Sequence, residues 1–103
     1  MRKKEETIVV DTPVARLLTK AINASSKSQV QLCGEVGLRK SNIISMFKQG
    51  RSPFPITRAA AFSNALDIAE EELMIAALQS TYPAEWRELA SIIASAVEQG
   101  LAN

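Results

Sequence analysis

The stretch Ser28 to Arg51, SQVQLCGEVGLRKSNIISMFKQGR, constrains this chain more than any other. Ser28 followed three residues later by Gln31 has the spacing of a capping box, in which two side chains satisfy each other's backbone amides at a helix start. Leu32, Cys33 and Val36 then fall at i, i+1 and i+4 and form one apolar face. Gly37 supplies a turn, because it takes positive φ without a Cβ penalty. A second helix is expected over Ser41 to Gln49. Ile43, Ile44 and Phe47 face inward on it, and Ser41, Asn42, Ser45, Met46 and Lys48 are left outside. Gly50 ends it as a C-terminal cap. Two short helices joined by a tight glycine turn are the sequence form of a helix-turn-helix. An outer face of Ser, Asn and Lys, on a helix braced by a partner helix, suits a DNA major groove.

The rest of the chain reads as an arm and four more helices. Residues 1–11 form the arm, and its Thr7 to Val10 is β-branched enough to pair as a short ribbon between protomers or to stay a free arm. Thr12 caps a helix with Pro13 at its first position, a favoured start. Val14, Leu17, Leu18, Ala21 and Ile22 form the core face of that helix, which runs to about Ala24. After the two motif helices, Ser52-Pro53-Phe54-Pro55 is a stiff loop with Phe54 plugging the core edge. A fourth helix is expected from about Ile56 to Leu66, with Ala59, Phe62 and Leu66 inward. A fifth starts at Glu70-Glu71-Glu72, where negative charge meets the positive end of the helix dipole, and carries Leu73, Ala76, Ala77 and Leu78. Thr81-Tyr82-Pro83 breaks it. A last helix runs from Pro83 to Gln99 and stops at Gly100. The fold class is therefore all-α: a compact five-helix bundle with a C-terminal amphipathic helix. At 103 residues the chain is one domain by the usual prior.

Charge is unevenly spread. The net charge is only +1, yet residues 27–51 hold five basic groups (Lys27, Arg39, Lys40, Lys48, Arg51) against Glu35 alone. Residues 52–103 hold two basic and seven acidic groups. Nucleic-acid binders concentrate basic charge at the contact surface, because released counterions supply much of the affinity. A solvated surface would also account for a lone charge run. Here the charge flanks the second motif helix, which favours DNA.

The motif resembles the lambda-repressor-like helix-turn-helix domains, the Cro or XRE family. The likeness rests on Gln29 opening the first motif helix, Leu32-Cys33 where the family has Leu-Ala, and Val36-Gly37 at its end. It continues in Ile44-Ser45, Phe47 and Gly50-Arg51, and extends less sharply to PITRAAAFSNALDI, covering roughly Thr12 to Leu78. Three features depart from the pattern. The turn LRKS is one residue longer than the commonest form, Cys33 replaces a small Ala, and Asp67 stands where Gly is usual. The resemblance implies a DNA-binding domain over 12–80 that works as a homodimer on palindromic double-stranded DNA as a transcriptional regulator and repressor. It implies base contacts from Ser41, Asn42 and Met46. Asn pairs bidentately with adenine, and Met meets a thymine methyl. Gln29 is expected to hold a phosphate through its side chain and amide, and Lys40, Lys48, Gln49 and Arg51 to brace the backbone.

Residues 81–103 lie beyond the resemblance. Trp86, Leu89, Ile93, Ala96 and Val97 recur mostly at three- and four-residue steps, with Ala90 and Ile92 widening the stripe and Arg87, Glu88 and Ser91 on the polar side. This stripe either packs on the chain's own five helices or forms a dimer interface through Trp86, Leu89, Ile93 and Val97. Enzyme chemistry finds little to work with. The chain has no His and one Cys, so no Ser-His or Cys-His pair exists and a zinc site of ordinary ligands is hard to build. No catalytic residue, metal, cofactor or small-molecule substrate is assigned. Cys33 reads as an inert core thiol. The single Cys, the lack of an apolar run long enough to span a bilayer and the lack of a signal peptide point to the cytoplasm of a bacterium or phage-infected cell. A second function class remains: a protein-interaction module, or an antitoxin-like accessory protein, using the same fold with its acidic C-terminal half holding a partner.

Overall fold

The computed structural model describes residues 10–100, and within them every regular element is helical. The order is α1 (Pro13–Ala24), α2 (Gln29–Val36), α3 (Asn42–Lys48), a 3-10 turn (Ile56–Arg58), α4 (Ala59–Leu66), α5 (Glu70–Thr81) and α6 (Pro83–Glu98). The sequence placed the fourth helix from Ile56. Its first three residues instead wind as a 3-10 turn, in which the Arg58 amide bonds the Pro55 carbonyl at 3.0 Å. Pro55 removes one backbone donor, so the tighter winding fits a start just after it. The second motif helix is also one residue shorter at each end than expected, with Ser41 and Gln49 as its caps. The arm residues 1–9, and with them Thr7 to Val9 of the suggested ribbon, lie outside the described residues.

The first two helix starts have local causes. Thr12 Oγ1 accepts from the Ala15 amide at 3.2 Å, and Pro13 sits in the first turn of α1. The next amide, that of Val14, bonds Ser80 Oγ of α5 at 2.9 Å. That hydroxyl in turn donates to the Ala76 carbonyl at 2.6 Å. A donor left over at one helix end thus ties α1 to α5. The Ser28–Gln31 capping box at α2 forms in both directions.

Three helices end alike. Gly37, Gly50 and Asp67 take left-handed backbone (φ 78°, 69° and 58°). The next amide reaches the carbonyl five residues back: Leu38 to Cys33 at 3.0 Å, Arg51 to Met46 at 3.0 Å, and Ile68 to Ser63 at 3.1 Å. This closes the carbonyl end that a helix otherwise leaves open. Asp67 is the one described non-Gly residue with positive φ, and a short polar side chain suits that role.

The core lies between α1 to α5. Leu18, Leu32, Ile44, Phe62 and Leu73 are its largest fully buried side chains, one from each helix in turn. Each such burial contributes about 1.5–3 kcal/mol. Phe47, Phe54 and Phe62 form an edge-to-face triangle with ring centroids 5.0–6.1 Å apart. Phe54 is therefore a core member from the Pro-rich loop, not an edge plug. This triangle fixes the back of α3. Leu17 and Ile43 are only half buried against the core.

Helix α6 differs from the others, because none of its residues is buried. Its substantial helical neighbour is α5. The described residues measure 57 × 32 × 22 Å. The long axis exceeds the next by about the length of a 16-residue helix, roughly 24 Å. The apolar stripe on α6 does not pack into the chain's own core. No described helix is long and apolar enough to cross a membrane.

Candidate nucleic-acid interface

Helix α3 presents the candidate surface, and its orientation is fixed from both sides. Ile44 and Phe47 anchor it in the core. At the steps of a helix, Asn42, Ser45, Met46 and Gln49 then fall on the opposite face. Asn42 is exposed, while Ser45, Met46 and Gln49 are half-buried. Ser41 caps the helix with αR backbone and makes no side-chain capping bond. Of the three residues expected to touch bases, Asn42 and Met46 thus share the outer stripe. Ser41 lies toward α2. Gln49, expected at a phosphate, stands on the stripe itself.

The Gln29 side chain, expected at a phosphate, bonds within the protein. Its Nε2 donates to Ser45 Oγ at 3.0 Å and to the Ser41 carbonyl at 3.4 Å. Its Oε1 accepts from Lys48 Nζ at 3.4 Å. The side chain therefore rivets the start of α2 across α3 and sets the angle between them. The amide of Gln29, first in its helix, still lies among the donors that a helix start leaves for an outside acceptor. Beside it, Val30 is 71% exposed, more than any other large apolar side chain described. Nothing in the sequence marked Val30 as part of this surface.

Some of the charges are held in internal bonds, and others stand at the surface. Lys27 bonds Glu35 at 2.7 Å and the Ala65 carbonyl at 2.6 Å, so the one acidic group of the basic segment is already paired. Arg58 Nη1 donates to the Val36 carbonyl at 2.9 Å and helps close the end of α2, a bond with no signature in the sequence. Arg39, Lys40 and Arg51 are exposed, and Lys48 is half-buried. Arg51 Nη1 donates to Gln49 Oε1 at 3.2 Å. Four cations thus border α3, two before it and two at its end.

The carbonyl end of α3 is held from the N-terminal side. Thr19 Oγ1 of α1 donates to the Lys48 carbonyl at 3.3 Å. The Val10 amide donates to the Gln49 carbonyl at 2.7 Å. Cys33 is buried, and its thiol donates to the Leu38 carbonyl at 3.0 Å inside the turn between α2 and α3. An open cleft of about 670 Å³ lies away from this surface, between the end of α1 and the Asp67 turn. Its wall carries both signs of charge, Lys20 and Lys27 with Asp67 and Glu72.

Comparison of the chain with family models, curated proteins and solved structures returns no match.

Proposed function

We propose that the chain is a sequence-specific DNA-binding regulator of transcription, built on a helix-turn-helix of the lambda-repressor-like kind. In this reading α2 and α3 are the motif, and α3 enters the major groove. The observation that carries it is the surface of α3. A polar stripe with Asn42 at its exposed start is riveted to α2 by Gln29 and bordered by Arg39, Lys40, Lys48 and Arg51. Asn42 and Met46 read base edges, with Gln49 and Val30 beside them, and the cations and the Gln29 amide meet phosphates. Binding as a dimer to a palindromic operator would repress by blocking polymerase, in the cytoplasm of a bacterium or its phage. No catalytic step is assigned to the chain.

A protein-interaction role is the second reading, and the bare apolar stripe of α6 favours it. The two separate in one experiment. Fluorescence anisotropy with random duplex DNA at two salt concentrations should show binding that falls steeply with salt, since each neutralised phosphate adds about 0.9 to the log–log slope. Selection from random oligonucleotides should then return a palindrome with half-sites about 10 bp apart or a multiple of that. Absence of binding at low salt would leave the interaction role alone.

A further inference from the structure

Helix α6 poses a physical problem. A lone helix of about this length is marginal in water, and Ile92, Ile93 and Val97 lower its propensity further. Yet none of its residues is fully buried by its own chain, and only Trp86, Ala90 and Ala96 are half-buried there. Tyr82, Leu89, Ile92, Ile93 and Val97 stand between 44% and 58% exposed. At roughly 100 Å² of open surface each, the five supply about 500 Å² per protomer, or about 1,000 Å² in a symmetric pair. That is the size at which specific interfaces begin.

The order of side-chain sizes says what covers the stripe. Within α6, Trp86, Leu89, Ile93 and Ala96 follow one another at steps of three, four and three. This is the strict a/d alternation of a two-helix coiled coil. The large members lie at one end and the small at the other. We infer that α6 pairs with α6 of a second copy, antiparallel, about a two-fold axis at the level of Ser91. In that register Trp86 meets Ala96 of the second copy, and Leu89 meets Ile93. Every layer then holds one large and one small side chain, or two of middle size.

A parallel pair would set Trp86 on Trp86 and leave Ala96 facing Ala96. Crowding at one end and a void at the other both destabilise a core. Charge selects the same direction. The antiparallel pair brings opposite helix-dipole ends together and sets Glu85 beside Gln99 of the second copy, a carboxylate by an amide donor. The parallel pair gathers Glu85 and Glu88 of both copies at one end.

This deepens the proposed dimeric regulator, and it rests on that reading only for the assumption of a two-fold. The test uses the full chain. Sedimentation should show a dimer that Ile93→Lys converts to a folded monomer, with helical circular dichroism reporting the fold. Trp86 is the chain's one tryptophan, so its emission should shift to longer wavelength as dilution separates the pair. Ile92→Cys, next to the axis, should join to itself through a short bismaleimide. Ala96→Cys should not, because its two copies lie ten residues apart along the pair, about 15 Å. Wild type, with only the buried Cys33, is the control. A monomeric wild type, a dimer indifferent to Ile93→Lys, or any other cross-linking pattern overturns the inference. Loss of DNA binding in a chain that still cross-links as described would instead remove the DNA reading and leave the pair standing.

Discussion

Gly50 sits where two requirements meet, and Gly50→Ala should separate them. Its φ of 69° is left-handed, and a Cβ there would lie 2.2 Å from the Val10 carbonyl oxygen and 3.1 Å from its carbon. The neighbour is backbone, so it yields only by moving the chain. The left-handed strain and the loss of the Val10–Gln49 hydrogen bond together amount to about 2–3 kcal/mol. Gly37 provides the comparison. Its φ is 78°, but its added Cβ would meet only Arg58 Nη1 at 3.9 Å. Gly37→Ala should therefore show the backbone strain alone, about 1–2 kcal/mol. Urea unfolding followed by helical circular dichroism measures both. A chain starting at Asp11 completes the cycle: without Val10, Gly50→Ala should fall to the Gly37→Ala value. Coupled neighbours deviate from additivity in this way, and distant sites do not. Equal losses for the two alanines in the full chain, or no change in the Gly50→Ala loss on truncation, would show that Val10 does not hold the end of α3.

The other expectations are briefer. Asn42→Ala should weaken binding by about 1–3 kcal/mol at one base position and relax preference there, with stability unchanged because the side chain is exposed; a selection repeated with the variant reads this directly. Arg51→Ala should weaken binding to all sequences alike and lower the salt slope by about one, and a sequence-dependent loss would make Arg51 a base reader. Arg58→Ala should lower stability by about 1–2 kcal/mol, because the Val36 carbonyl loses a charged donor; unfolding at an unchanged urea midpoint would count against that bond.

Much of the fold was legible because its signals are local. The Ser28–Gln31 box, Thr12-Pro13 and the Gly37 and Gly50 caps each act within a few residues of chain, and each stands where the sequence placed it. Even Asp67, in a position that favours Gly, takes the left-handed turn. Long-range contacts were not legible. Gln29 has the composition of a phosphate ligand, and only the approach of α3 shows it bonded to Ser45 and Lys48. Arg58 and Ser80 are likewise defined by partners 22 and 66 residues away. The α6 stripe was plain from periodicity, but its absence from the core was not. Periodicity says that a face is apolar and leaves open which surface meets it.

The bonds at the end of α3 have an electrostatic consequence. A helix gathers partial negative charge on its last carbonyls, and a bare carbonyl end beside a polyanion repels it. Here Thr19, Val10 and the amides of Gly50 and Arg51 turn donors onto those oxygens. Lys48 and Arg51 stand at the same end. The helix thus presents no uncovered negative pole to an approaching anion. Both ends of α3 are acceptable neighbours for an anion: one by its bordering Arg39 and Lys40, the other because its dipole has been screened from within the protein.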